Sequence, residues 1–203
     1  MKLATQLSAA TLLLVSLFIA PAVASPPQGT SEWIVLAPAD EGFTVQVPVK
    51  PEEQMERIPM MGNTYKMHLF TSVHEASGVL YMAIMQEFPV LSAVLTPAAR
   101  LDKFMEGFKE GLIKSLSSTP GTQPDIQPDR DLELKGHIGR QYTLSVGESR
   151  GLVRTFDAGR RVYVLLVLGA DEKNSSVGKF LSSFEITTAP DPVAIPIPET
   201  KPS

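Results

Sequence analysis

The sequence predicts an α+β fold in which a central antiparallel sheet carries helices packed on it. Several segments alternate apolar and polar residues with period two and are joined by links of hairpin length, which favours antiparallel pairing. Residues 79–85 and 161–168 predict strands that are buried on both faces, so helical cover is required. No internal repeat or regular strand–helix alternation is visible, which disfavours a doubly wound parallel sheet.

Period-two patterns predict the strands of the N-terminal half. Residues 42–48 alternate strictly and end in a proline, which is typical of a half-buried strand. Residues 50–53 are predicted to turn. Residues 65–74 alternate again, and residues 75–78 turn the chain into the apolar strand at 79–85.

One long helix is the predicted cover of the sheet. Thr96 and Pro97 form an N-cap followed by proline at the first helical position, and the helix is expected to end near Ser118. Charged residues, Arg100 among them, are expected on its solvent side. Gly107 would cost about 1 kcal/mol against alanine unless the helix approaches a strand closely there. The apolar stripe consists of Leu101, Phe104, Met105, Phe108, Leu112 and Leu116.

The C-terminal half predicts a polar loop, a meander of strands and a short helix. The loop covers residues 119–129, and its acidic residues are expected to be solvated. Strands are predicted at 138–146, 152–156 and 161–168. Ser175 is expected to cap the helix, whose apolar residues have helical spacing: Val177, Phe180, Leu181 and Phe184.

The N-terminus has the three regions of a secretory signal peptide. Lys2 precedes a short apolar run, and an A-x-A site predicts cleavage between Ala24 and Ser25. The apolar run is shorter than the roughly 20 residues that span a bilayer, so no membrane span is expected after cleavage. Cysteine is absent, which excludes a lipid anchor at the cut and thiol chemistry. We therefore expect an exported protein, periplasmic or secreted.

The rest of the chain predicts one domain with short ends. Residues 25–32 form a leader, residues 33–187 a single α+β domain, and residues 188–203 a Pro-rich tail that is expected to be disordered. Without residues 1–24 the chain has 17 basic and 22 acidic residues, a net charge of −5. A mildly acidic chain without a basic stripe is not expected to bind nucleic acid.

Four short segments resemble a known family. They are Gly-Phe-Thr-Val-Gln-Val-Pro at 42–48, Gly-Arg-Gln-Tyr at 139–142, Arg-Val-Tyr at 161–163 and Lys-Phe-Leu-Ser-Ser-Phe at 179–184. In this order they resemble exported bacterial proteins with the fold of PsbP, the extrinsic subunit of photosystem II. The resemblance implies an α/β/α sandwich with a central antiparallel sheet and a non-enzymatic accessory, assembly or binding role. It extends neither to the metal-site residues nor to the lumenal targeting signal of the photosynthetic subunit.

The segment Gly147-Glu148-Ser149-Arg150-Gly151 fits the G-x-S-x-G pattern of esterases. In those enzymes a helix follows the serine and a histidine comes later in the chain. Here a strand is predicted at 152–156, and the last histidine is His137. A hairpin turn is therefore the favoured interpretation, and a hydrolase is the third functional hypothesis.

The three histidines do not predict a shared metal ion. His68 and His74 share a strand face, but six residues at about 3.3 Å each place them about 20 Å apart. His137 lacks an acidic neighbour at ligand spacing. We expect all three to be solvent-facing residues on strands.

A group of soft side chains is a candidate Cu(I) site, since thioethers are soft ligands. An exported protein without cysteine could use it. The alternative is core packing, because Met67 lies on the apolar face of its strand and methionine often fills gaps in cores. The group consists of Met55, Met60, Met61, Met67 and His68.

Arg140 is predicted to lie on the apolar face of the strand at 138–146. A buried arginine is costly unless it is paired. It therefore predicts either a structural ion pair, with Glu87 or Asp131, or the floor of an anion-binding pocket.

These observations predict an exported, non-enzymatic binding or interaction module for a protein or small ligand. The alternative is a carrier of a small molecule or of Cu(I). No catalytic set or cofactor site is predicted.

Overall fold

Two antiparallel sheets and two helices make up the part of the chain that the computed structural model describes, residues 33–60, 63–88, 95–116 and 123–187. The predicted signal peptide with its Ala24–Ser25 cleavage site, the leader and the Pro-rich tail lie outside these residues. The elements are β1 (Ile34–Leu36), β2 (Phe43–Val47), β3 (Glu52–Met60), β4 (Asn63–His74), β5 (Val79–Glu87), α1 (Pro97–Leu116), β6 (Pro124–Leu134), β7 (His137–Val146), β8 (Ser149–Asp157), β9 (Arg161–Leu168), α2 (Ser175–Ser182) and β10 (Glu185–Ile186).

Neither described helix combines the length and the apolar character needed to cross a bilayer.

The large sheet consists of strands β3 to β9 in the spatial order β3-β4-β5-β9-β8-β7-β6, and every neighbouring pair is antiparallel. At its centre β5 pairs with β9, in a register that places Ile84 opposite Val164. This pairing joins the halves of the chain on either side of α1. The predicted α+β class with a large antiparallel sheet is confirmed.

Each face of the large sheet has its own apolar layer. On one face α1 packs against a cluster that includes Met82, Ile84 and Val164. On the other face α2 and the small sheet, which has the order β1-β2-β10, share a cluster with Tyr81 and Leu165. The alternation along β5 thus supplies both layers. The sequence predicted helices as cover, and the structure adds the small sheet.

Helix α1 begins as predicted and is anchored by an ion pair that the sequence did not predict. Thr96 Oγ1 accepts a hydrogen bond from the backbone nitrogen of Ala99 at 3.3 Å. Arg100 was expected on the solvent side but is buried, because its guanidinium donates to both carboxylate oxygens of buried Asp157 at 2.7 and 2.6 Å. This bidentate ion pair connects the first turn of α1 to the end of β8.

The N-cap of α2 is one residue earlier than expected. Asn174 caps it, since its Oδ1 accepts hydrogen bonds from the backbone nitrogens of Ser176 and Val177 at 2.9 and 3.4 Å. The predicted apolar residues of this segment are buried: Val177, Phe180, Leu181 and Phe184.

Two segments predicted as a turn or a loop are strands at the edges of the large sheet. The predicted turn at 50–53 runs into β3, and the predicted loop at 119–129 contains the first half of β6. Most of their described side chains are exposed, so neither segment shows apolar alternation. Edge strands also tolerate proline and charge, which made both segments resemble loops.

Two glycines have opposite surroundings. The close approach expected at Gly107 of α1 is wrong, because among the described residues no atom beyond the helix's own backbone lies within 4 Å of the position that a Cβ would occupy. At Gly151 of β8 a Cβ would collide with the carbonyl oxygen of Val167 on β9. The second glycine of the G-x-S-x-G segment is therefore explained by close contact of two strand backbones.

Alanine at these two glycines is expected to change stability in opposite directions. Gly151→Ala should destabilise the fold by about 1–3 kcal/mol, because the new Cβ overlaps backbone atoms that cannot move away. Gly107→Ala should stabilise it by about 0.5–1 kcal/mol, because alanine is the better helix former and has room. Chemical denaturation measures both. A neutral Gly151→Ala would contradict the strand contact.

Candidate functional site

Charged and amide side chains from three neighbouring strands meet at the β6 edge of the large sheet. Arg130 on β6 lies opposite Gln141 on β7, which lies opposite Arg154 on β8. The register shifts between Pro128 and Arg130, so Asp129 is an extra residue in a β-bulge. Bulges redirect side chains, and here both Asp129 and Arg130 reach Gln141. We call Arg130, Gln141 and Arg154 the arginine platform.

The arginine platform holds the carboxylate of Glu172, which lies between β9 and α2. Arg130 Nη2 donates to both oxygens of Glu172, at 2.6 and 2.8 Å. Arg154 Nη2 donates to Oε1 at 2.7 Å, and Gln141 Nε2 donates to Oε2 at 3.3 Å. Donors on three different strands therefore converge on one carboxylate.

Gln141 is the buried centre of the arginine platform, with 3% of its surface exposed. Its Nε2 donates to Asp129 Oδ2 at 2.7 Å, while its Oε1 accepts from Arg154 Nε at 2.7 Å and from Arg130 Nη2 at 3.3 Å. Both ends of the amide are thus occupied. These hydrogen bonds to residues on β6 and β8 therefore fix the orientation of the Gln141 amide. The amide in turn positions both guanidinium groups.

The charges of the platform lie at the boundary between core and solvent. The side chain of Arg154 is 17% exposed, and that of Glu172 is 40% exposed. Burial lowers the pKa of Arg154, and attraction to Glu172 partly opposes this effect. The hydrogen bond from Arg130 is the largest cause that lowers the pKa of Glu172 from its ordinary value of 4.5. The platform therefore holds Glu172 in its charged form.

This arrangement has the chemistry of a carboxylate receptor. Guanidinium groups are planar, keep their charge and present donors that match the two oxygens of a carboxylate. Here they are attached to paired strands, which restrict their movement. The groups that the platform directs at Glu172 are hydrogen-bond donors, so the geometry favours recognition of an acidic group.

Arg140 lies on the opposite face of β7. Its Nε donates to Asp131 Oδ1 at 2.9 Å, and its Nη1 pairs with Asp102 of α1. The hydrogen bond to Asp131 is the largest cause that raises the pKa of Arg140. Because two carboxylates surround one guanidinium, the geometry favours a structural ion pair over an anion pocket. Glu87, the other expected partner, accepts a hydrogen bond from the backbone nitrogen of Lys66.

The expectation of solvent-facing histidines is wrong for His68 and His137, which are both buried. His68 Nδ1 lies 2.8 Å from Glu41 Oε1, an oxygen that also pairs with Lys66 Nζ at 3.0 Å. His137 Nδ1 lies 3.1 Å from the carbonyl oxygen of Asp157. His68 lies on the predicted face of β4, but Glu41, from the segment that leads into β2, covers this face at His68.

The structure divides the candidate methionine group between the two faces of the large sheet. Met55 is exposed and lies opposite His68 in the β3–β4 register, so these two side chains share a face. Met67 is buried on the other face, in the cluster with α1. Met61 and the side chain of Met60 lie outside the described part of the chain.

Within the described ranges, no three His, Asp or Glu residues form a group that could hold a metal ion.

The G-x-S-x-G segment forms the hairpin between β7 and β8. Gly147 and Glu148 are the turn, and the φ angle of Gly147 is 58°, in the region that favours glycine. Ser149 begins β8, which continues as a strand to Asp157. The helix that follows a nucleophilic serine in esterases is replaced here by this strand.

In structure, the chain is similar to cyanobacterial PsbP (CyanoP) from Synechocystis sp. PCC 6803. The match to that solution structure has a TM-score of 0.48 and 13% identity, and it covers 82% of this chain and 99% of that chain. The likeness agrees with the PsbP resemblance of the sequence and concerns the fold alone. No protein-family model matches the chain, and a search of curated proteins also finds no match.

Sequence reasoning missed the arginine platform. Asp129 belonged to the predicted loop, and no spacing rule connects Arg130 with Glu172, 42 residues later. Pro128 is the one local signal that could have located the bulge, since proline within sheets occurs at edges and bulges. The convergence of the side chains depends on strand register, which the local sequence does not encode.

Replacing Glu172 with glutamine is expected to lower stability in a pH-dependent way. Because the folded state lowers the pKa of Glu172, its charge contributes stability that is fully present above pH 4.5 and is lost as the pH falls through the lower folded value. The wild-type protein should therefore melt about 1–3 °C above Glu172→Gln at neutral pH, and the difference should disappear once the pH is below the lowered pKa of Glu172. Thermal unfolding followed by circular dichroism tests this. A difference that is independent of pH would contradict it.

Proposed function

We propose that this chain is an exported, non-enzymatic interaction module that binds a protein or small ligand through the arginine platform. The observation that carries this proposal is the convergence of Arg130, Gln141 and Arg154 on one carboxylate at a solvent-facing edge of the large sheet. Export to the periplasm or the medium is supported by the signal-like pattern of residues 1–24. The apolar layers on both faces of the large sheet support a PsbP-like α/β/α sandwich.

The arginine platform suits recognition because its donors are preorganised. Gln141 is buried and fully hydrogen-bonded, so little conformational entropy remains to be lost when a partner contacts the neighbouring guanidinium groups. Arginine is also favoured at interfaces, where its planar donors recognise acidic groups. Strand-borne donors held in this way support a binding role.

A photo-reactive amino acid at Thr143 is expected to capture the partner in the native host. Thr143 is exposed and lies two residues beyond Gln141 on β7, so it shares the face of the arginine platform. Light should produce an adduct of discrete mass in the exported fraction. The same group at Glu106, exposed on α1 on the opposite face, should not produce it.

The adduct at Thr143 should disappear with Arg154→Gln and persist with Arg150→Gln, a matched change at an exposed position of the same strand. Equal adducts at Thr143 and Glu106, or an adduct that is insensitive to Arg154→Gln, would reject the platform as the binding surface. The mature chain in that fraction should begin at Ser25. A cytosolic chain that retains Met1 would reject export.

A second candidate function, a Cu(I) carrier, is favoured by the surroundings of His68. Histidines that bind metals usually donate their other ring nitrogen to a carboxylate, and His68 Nδ1 lies 2.8 Å from Glu41 Oε1. Exposed Met55 lies opposite on β3 and could supply a thioether.

Cu(I) titration under reducing conditions tests the carrier function. If it is right, the protein should bind one Cu(I), and Met55→Leu should weaken binding at least about tenfold because a soft ligand is lost. Met105→Leu, a buried change on α1, is the control and should have no effect. Absence of binding by the wild-type protein would end this candidate.

A further inference from the structure

We infer that the arginine platform is a binding site for a carboxylate of an acidic peptide segment, and that Glu172 is an intramolecular occupant which this ligand displaces. The inference rests on the proposed function and names the ligand class of the same site. It starts from the contacts of Glu172, whose carboxylate receives donors from Arg130, Gln141 and Arg154. An external carboxylate could occupy the same position and accept the same hydrogen bonds.

The charge balance of the site favours a carboxylate as the group that replaces Glu172. With Glu172 in place, Arg130 and Arg154 are balanced by Glu172 and Asp129. When Glu172 leaves, two cations face one carboxylate, so the site has a net charge of +1. Arg154 is largely desolvated, and a desolvated charge without a partner is costly. A second carboxylate would remove this cost, whereas a neutral ligand would not.

The segment that carries Glu172 can leave without breaking the sheet. Residues 169–174 connect β9 to α2, and Gly169 begins the segment with a φ angle of 97° and a hydrogen bond from its nitrogen to the carbonyl oxygen of Arg150. Beyond Gly169, Asp171 accepts hydrogen bonds from the backbone nitrogens of Lys173 and Asn174, at 3.0 and 3.1 Å. The bonds of Asp171 lie within the segment, and Asn174 at its end is held by α2, whose first turn it caps, so residues 170–173 can move between two fixed ends.

The open geometry favours a peptide over a small molecule. Glu172 remains 40% exposed while it is bound, and Arg130 remains 46% exposed. Sites for small molecules usually enclose most of the ligand surface in a concave pocket. A site at a sheet edge instead suits a carboxylate side chain that projects from a larger partner.

Glu172 should weaken the binding of any competing carboxylate. As an attached ligand it has a high effective concentration at the arginine platform, and the apparent affinity for an external ligand is reduced by the fraction of molecules with a free platform. Removing the negative charge of Glu172 should therefore tighten binding by about tenfold or more.

Titration with tetraglutamate blocked at both ends tests the inference, with binding followed by NMR of the full mature chain. Glu172→Gln should bind this peptide at least about tenfold more tightly than the wild-type protein, with shift changes at Arg130, Gln141 and Arg154. Adding Arg154→Gln should abolish the gain. Glu148→Gln makes the same charge change at an exposed turn residue and should alter affinity less than about twofold. Glu172→Ala should reproduce Glu172→Gln.

Equal gains in Glu172→Gln and Glu148→Gln would overturn the inference, because they would reflect net charge alone. Equal affinity for succinate and for tetraglutamate would overturn the peptide assignment in favour of a small carboxylate. If the adduct at Thr143 depends on Arg154 but Glu172→Gln gains no affinity for tetraglutamate, the proposed function stands and displacement of Glu172 is wrong. If both experiments fail, both proposals are wrong.

Discussion

The structure depends on the burial of the central strands β5 and β9 on both faces. Side chains such as Tyr81 and Met82 alternate between two separate apolar clusters, so neither face of the large sheet can be left in water. Burial of apolar surface is the main favourable contribution to folding. Helix α1 must therefore lie on one face, and α2 with the small sheet on the other. The β5–β9 pairing also joins the two halves of the chain in one sheet.

The position of the arginine platform follows from this arrangement. Away from the central strands, polar side chains replace apolar ones at the β6 edge, where Gln141 is still buried and must have hydrogen-bond partners. Arg130 and Arg154 donate to its Oε1, and its Nε2 donates to Asp129 and Glu172. The two carboxylates in turn balance the two guanidinium charges. On the opposite face Arg140 is paired with Asp131 and Asp102. The two faces of β7 thus differ. On one face two carboxylates surround Arg140, whereas on the other Arg130 and Arg154 both donate to the carboxylate of Glu172.

The elements predicted correctly are those in which apolar side chains are buried and polar side chains are exposed in a regular pattern. The two-sided strands are continuous apolar runs, while α1 with its Thr96 cap and α2 have helical periodicity, because each of these elements has at least one face in the core. β3 and the first half of β6 were missed because most side chains of these edge strands are exposed, so they lack such a pattern. The candidate site was missed for a related reason: Asp129 and Arg130 resemble solvated loop residues until the bulge directs them to Gln141. Arg140 was noticed because its charge interrupts the apolar face of the predicted strand at 138–146, whereas the platform residues interrupt no apolar face.

The sequence by itself determined which segments must be buried, that the sheet is antiparallel, and that Arg140 would need a charged partner, because these properties follow from local periodicity, link length and the cost of desolvating a charge. Only the tertiary structure decided that His68 is covered, that Met55 and Met67 lie on opposite faces, and that Arg130, Gln141 and Arg154 meet around Glu172. Strand order and register set these distances, and both depend on pairing between residues far apart in the chain.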